Sequence, residues 1–64
     1  MSTKLETAKD MATAVNGLIE ITSSVHNRCV QELDQDYGTY QVIALLRLTR
    51  KELETLIDYL EVSR

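Results

Sequence analysis

The chain has 64 residues, with ten acidic and seven basic side chains and a formal net charge of −3. This length allows one domain, so residues 1–64 form a single unit. The negative charge disfavours binding to phosphate backbones and to anionic membranes. A lone cysteine, Cys29, excludes an intrachain disulfide, and proline, phenylalanine and tryptophan are absent. The composition therefore suits long uninterrupted helices with an aliphatic seam.

The sequence also gives an expectation about location. No stretch approaches the roughly 18 apolar residues that a membrane span needs. Met1 to Lys4 are not followed by the apolar run of a signal peptide. One unpaired cysteine agrees with a reducing compartment. We therefore expect a cytoplasmic protein that does not associate with membranes.

A first amphipathic helix is predicted over about residues 4–34. Thr3 and Glu6 have the spacing of a capping box at its start. Residues suited to one buried face then recur at alternating steps of three and four: Leu5, Ala8, Ala12, Val15, Ile19, Thr22, His26, Cys29 and Leu33. Asn16-Gly17 and Thr22-Ser23-Ser24 could bend or split this helix. Because the apolar phase continues across both points, we favour one unbroken helix.

The segment from Asp34 to Thr39 is predicted to be the loop. Gly38 can adopt a positive φ and so end the first helix, and Thr39 can cap the second. The second helix is predicted over about residues 40–62, with its apolar positions on one stripe: Val42, Leu45, Leu46, Thr49, Leu53, Leu56, Ile57 and Leu60. Ile43 lies to one side of this stripe, and Leu48 and Tyr59 lie to the other.

A competing interpretation breaks the second helix near Leu48-Thr49. Thr49 and Glu52 also have capping-box spacing, and Leu48 and Leu53 occupy the positions of a hydrophobic staple. That interpretation gives three helices. The unbroken stripe from Val42 to Leu60 favours two. The predicted fold class is therefore all-α, an antiparallel helical hairpin.

Self-association into a four-helix bundle is expected for two reasons. A chain this short usually needs disulfides, a metal or oligomerisation to be stable, and the sequence lacks the residues for the first two. Each helix also carries a wider apolar stripe than a two-helix hairpin can cover, and a homodimer is the commonest assembly. The candidate self-association residues are Leu18, Val25, Leu45, Leu48, Leu56 and Tyr59.

Two groups of side chains are candidates for binding a partner. Tyr37 and Tyr40 offer contact area with few torsions to freeze, which suits a protein interface. Arg47, Arg50 and Lys51 form the one basic cluster, which could contact nucleic acid. Glu52 and Glu54 dilute that cluster. We therefore expect a small acidic regulator or adaptor that binds a protein, and the alternative is a nucleic-acid-binding regulator.

No catalytic, metal or cofactor site is expected. His26 and Cys29 lie one helical turn apart, which is a spacing for two metal ligands, but a buried cysteine beside a seam histidine is the simpler interpretation. A hydrogen bond from His26 to Thr49 would satisfy both polar groups within the seam. Cys29 has no obvious orienting group for nucleophilic catalysis. We therefore expect the protein not to be an enzyme.

Overall fold

The computed structural model describes residues 3–63, which form two helices joined by a five-residue loop. Helix α1 spans Thr3–Leu33 and helix α2 spans Thr39–Ser63. The helices pack against each other as an antiparallel hairpin that measures 49 × 15 × 10 Å. The predicted all-α hairpin is confirmed, and its helix boundaries agree with the sequence to within one residue.

Both helices run unbroken through the points where the sequence could have interrupted them. Asn16-Gly17 lies inside α1, and an added Cβ at Gly17 would meet no atom within 4 Å outside its own helical backbone. The alternative with a third helix is wrong, because α2 continues through Leu48-Thr49. The Thr49 hydroxyl donates to the Leu45 carbonyl at 2.8 Å, so it bonds within the helix instead of capping a new one.

The core is a single seam between the two helices. Leu5, Ala8, Val15 and Ile19 are buried on α1, as the step of three and four predicted, whereas Leu33, the last residue of that predicted face, is 60% exposed. On α2 the buried residues are Ile43 and Leu53, and Leu46 packs partly buried against the same cluster. Apolar burial of this kind stabilises a hairpin by roughly 1.5–3 kcal/mol for each fully buried aliphatic side chain.

The predicted stripe of α2 is correct for half of its residues, Leu46, Leu53, Ile57 and Leu60, and wrong for Val42, Leu45, Thr49 and Leu56, which are exposed. Ile43 was expected on a flank, and it is one of the two buried residues of this helix. The positions that face α1 recur at steps of four and three: Thr39, Ile43, Leu46, Arg50, Leu53, Ile57 and Leu60. Arg50 obscured this row in the sequence, since a charged residue is not expected in a seam. It is tolerated there because its guanidinium reaches Asn16 Oδ1, at 3.3 Å, and pairs with Glu54 at 4.0 Å.

The loop turns on three residues with positive φ. Asp34 (φ 54°) ends α1, and the Gln35 amide returns a hydrogen bond of 3.2 Å to the Cys29 carbonyl. Gly38 (φ 77°) does adopt the predicted left-handed conformation, but it precedes α2 instead of ending α1. Tyr37 (φ 53°) shares this conformation, which is costly for a side chain with a Cβ.

Candidate self-association surface

One side of the hairpin exposes large apolar side chains from both helices. We call it the apolar face and define it by Met11, Leu18, Val25, Val42, Leu45 and Leu56. These six side chains are between 44 and 63% exposed. Because a step of seven residues is nearly two turns, Met11, Leu18 and Val25 share one side of α1.

A groove at the end opposite the loop shows that the two helices contribute to the same side. Met11 from α1 and Leu56 from α2 line it together, beside Leu53 and Leu60. Val42 is two steps of seven from Leu56, so it lies on that side of α2 as well. The groove has a volume of about 370 Å³, and Lys4 is the one charged residue among the described residues that line it.

Other exposed large apolar side chains lie outside this set of six, and three of them are close to it in sequence: Leu48, Tyr59 and Ile21. Leu48 is 60% exposed and is five residues from both Ile43 and Leu53, about 140° around the helix from each. It therefore points away from the seam, on the outer side of α2. Tyr59 and Ile21 are also exposed, three residues beyond Leu56 and Leu18, and border the apolar face. Of the six candidate self-association residues, Leu18, Val25, Leu45 and Leu56 lie on the apolar face, Tyr59 lies at its edge on the row of Leu45, two steps of seven away, and Leu48 points outward from α2.

The other side of the seam carries a polar contact between the two helices. Arg50 links Asn16 on α1 to Glu54 on its own helix. The three members of the predicted basic cluster lie within one turn of α2, and Arg47 and Lys51 are exposed beside the half-buried Arg50. Arg50 is already engaged by Asn16 and Glu54, so Arg47 and Lys51 are the two more open cations.

A hydrogen-bonded cluster of His26, Asp36 and Thr39 closes the loop end of the seam. His26 Nδ1 lies 2.7 Å from Thr39 Oγ1 and 3.1 Å from Asp36 Oδ1. Thr39 Oγ1 is 2.6 Å from Asp36 Oδ1, and the same carboxylate oxygen accepts the Tyr40 amide hydrogen at 3.0 Å. The carboxylate accepts hydrogen bonds only, so its contact with His26 requires a hydrogen on Nδ1.

These contacts change the titration of Asp36. The Thr39 hydroxyl, followed by the Tyr40 amide, lowers the pKa of the Asp36 carboxyl from its ordinary value; desolvation opposes this effect, and His26 adds a smaller lowering. The predicted hydrogen bond between His26 and Thr49 is wrong. The helices are offset so that His26 lies across from Thr39, ten residues before Thr49. The sequence does contain a signal for this cluster: Asp36 lies four residues before Tyr40, a spacing that lets its carboxylate cap the first turn of α2.

The two candidate tyrosines stand beside this cluster. Tyr37 and Tyr40 are both exposed, and the Tyr40 ring lies 6.3 Å from the His26 ring at an angle of 52°. Their phenol groups therefore remain open to a partner. Cys29 is half-buried on α1 and carries a free thiol. Within residues 3–63, no three His, Cys, Asp or Glu side chains gather where they could hold a metal ion.

Within residues 3–63, neither α1 nor α2 contains an apolar stretch of the length that a membrane-spanning helix requires. Comparisons with protein-family models, with curated proteins and with solved structures find no match to this chain.

Proposed function

We propose that this chain is a non-enzymatic binding module that forms a homodimer through its apolar face. The observation that carries the proposal is the exposure of six large aliphatic side chains along one side of a hairpin whose own seam leaves them uncovered. Contiguous apolar area of this kind on a water-soluble domain marks an interface. A second hairpin laid on the face would complete a four-helix bundle.

The total exposed area supports the same proposal. The chain exposes 5074 Å². A compact monomer of 7.3 kDa is expected to expose about 4,200 Å². The excess of about 900 Å² is close to the roughly 800 Å² that each partner contributes to a standard protein interface.

In this proposal the dimer acts by binding another protein through the loop end. Tyr37 and Tyr40 lie beyond the apolar face, so dimerisation leaves them exposed for a partner. The apolar lining of the one described groove suits a packed side chain better than a polar substrate, which agrees with a non-enzymatic role. A cytoplasmic location is part of the proposal, supported by the single unpaired thiol.

Thermal unfolding at two protein concentrations tests the self-association. Helix content is followed by circular dichroism at about 1 and 100 µM. Because mass action stabilises a dimer as concentration rises, Tm should increase by roughly 5–10 °C. A cooperative transition with the same Tm at both concentrations would show a self-sufficient monomer and contradict the proposal.

The nucleic-acid alternative has a separate test. Titration of a labelled RNA duplex at about 50 and 200 mM salt should show no binding that depends steeply on salt, because the chain has a net charge of −3 and Glu52 and Glu54 lie beside the basic cluster. A strong salt-dependent affinity that Arg47→Ala and Lys51→Ala both weaken would replace the protein-binding proposal with the alternative.

A further inference from the structure

One row of residues along α1 carries opposite charges at its two ends. Steps of seven lead from Lys4 through Met11, Leu18 and Val25 to Glu32. The row therefore begins with a cation, ends with an anion and is apolar between them. Leu18 is its midpoint, fourteen residues from each charged end. Such a row complements itself when a second copy lies along it in the opposite direction.

The corresponding row on α2 has its midpoint at the same height. Val42, Thr49 and Leu56 are spaced by seven, with Thr49 in the middle. Asn16 contacts Arg50 across the seam, so Leu18 and Thr49 lie nearly level with each other in the antiparallel pair. Met11 and Leu56, one step from these midpoints, meet in the groove. A single two-fold axis can therefore cross both rows at their centres.

Two symmetric dimers would cover the apolar face. With the two-fold axis along the hairpin, α1 lies against the partner's α2, and both loops are at one end. With the axis perpendicular to the hairpin, α1 lies against the partner's α1, and the loops are at opposite ends. Both arrangements keep neighbouring helices antiparallel, so helix packing alone does not choose between them.

We propose the perpendicular arrangement, in which α1 pairs with the partner's α1 about an axis at Leu18. This inference rests on the self-association proposed above and specifies its geometry. Lys4 then lies opposite the partner's Glu32 at both ends of the interface, and Met11 lies opposite the partner's Val25. Glu32 already pairs with Arg28 on its own helix at 3.7 Å, but it is exposed and can accept a second donor.

The other arrangement leaves these charges without partners. It places Lys4 opposite the partner's Ser63, which is neutral, and it places Glu32 beyond the start of the partner's α2, because that helix begins at Thr39. It also packs each Leu18 against the partner's Thr49, so that a hydroxyl-bearing residue faces each central leucine. The perpendicular arrangement instead places Leu18 against the partner's Leu18, and pairs the two threonines with each other. Charge and apolar matching therefore favour the same orientation.

Disulfide trapping at the two midpoints tests the orientation. Leu18→Cys and Thr49→Cys are each made in a Cys29→Ser background and oxidised with glutathione disulfide at micromolar protein. Each protein alone should give a covalent dimer on a non-reducing gel. Ser24→Cys is the matched control, because Ser24 is exposed on the side of α1 away from the seam, and it should remain single-chain.

The outcomes separate the orientation from the self-association. If the two cysteine variants cross-link only when mixed, the axis runs along the hairpin, which overturns the orientation and leaves the dimer standing. If no combination cross-links although the mass is that of a dimer, the orientation is also overturned. If no combination cross-links and the mass is that of one chain, both the orientation and the proposed function fail.

A charge exchange gives a second measurement. Lys4→Glu alone should raise the dimer Kd by roughly three- to tenfold, since two exposed ion pairs become repulsive contacts. Adding Glu32→Lys to the same chain should restore most of the affinity, because both ends of the row are then exchanged. An equal Kd for the wild type and the single variant would overturn the perpendicular arrangement.

Discussion

The loop end and the apolar face are built from the same two helices, yet only the loop end is complete within one chain. His26, Asp36 and Thr39 satisfy one another over distances of 2.6–3.1 Å. The side chains of the apolar face instead remain about half exposed, and neither helix of residues 3–63 covers them. The loop end therefore contributes to the stability of each chain at any protein concentration. The apolar face contributes to stability only when two chains associate.

The largest effect is expected on the apolar face. In the dimer each copy would bury Leu18, and losing this burial costs about 1.5–3 kcal/mol per chain. Leu18→Glu also places a charge in an apolar interface, which adds to the cost. The dimer Kd should rise more than about 100-fold, measured by sedimentation equilibrium. Leu48→Glu is the matched control, because it makes the same change at an exposed leucine off the face. Equal dissociation by both variants would contradict the assignment of the face.

A smaller effect is expected at the loop end, and it should not depend on concentration. Asp36→Ala removes the acceptor for the Tyr40 amide and for the Thr39 hydroxyl. Loss of such a capping contact should lower Tm by roughly 5 °C, by the same amount at low and high protein concentration. Asp36→Asn keeps an acceptor oxygen and should lose less. A Tm loss confined to dilute samples would show that this cluster acts on association.

Acid should weaken the same cluster. The pKa of Asp36 is lower in the folded chain than in the unfolded chain, so the carboxylate contributes stability above its ordinary pKa near 4. That contribution is lost as pH falls below about 4 through the folded pKa. Between pH 6 and pH 2, the free energy of unfolding should therefore fall more for the wild type than for Asp36→Asn, which has no carboxylate to protonate at this position. Parallel pH profiles for the two proteins would contradict this role of Asp36.

Much of the hairpin could be predicted from the sequence. The seam of α1 follows from its alternating steps, and the helix ends follow from the turn-forming segment after Leu33. The phase of α2 could not be predicted, because Arg50 occupies a seam position by reaching Asn16 on the other helix. That contact depends on the offset between the helices. The same offset brings His26 to Thr39 instead of Thr49, and no local pattern in the sequence encodes it.

The smallest expected effect concerns Tyr37 in the loop. Its positive φ costs roughly 1 kcal/mol for a residue with a Cβ, and glycine avoids this strain. Glycine also adds freedom to the unfolded chain, so Tyr37→Gly should change the free energy of unfolding by less than about 1 kcal/mol. Chemical denaturation measures this change. A loss of several kcal/mol would instead show that the Tyr37 ring supports the loop end.

Sedimentation equilibrium of the wild-type chain at micromolar concentration tests the central claim most directly. If a second copy covers the apolar face, the measured mass should be twice the 7.3 kDa of one chain. On dilution the dimer should dissociate, and its helix content should fall at the same time. A mass of one chain that keeps its helix content and unfolds cooperatively would show that the apolar face is stable in water without a second copy.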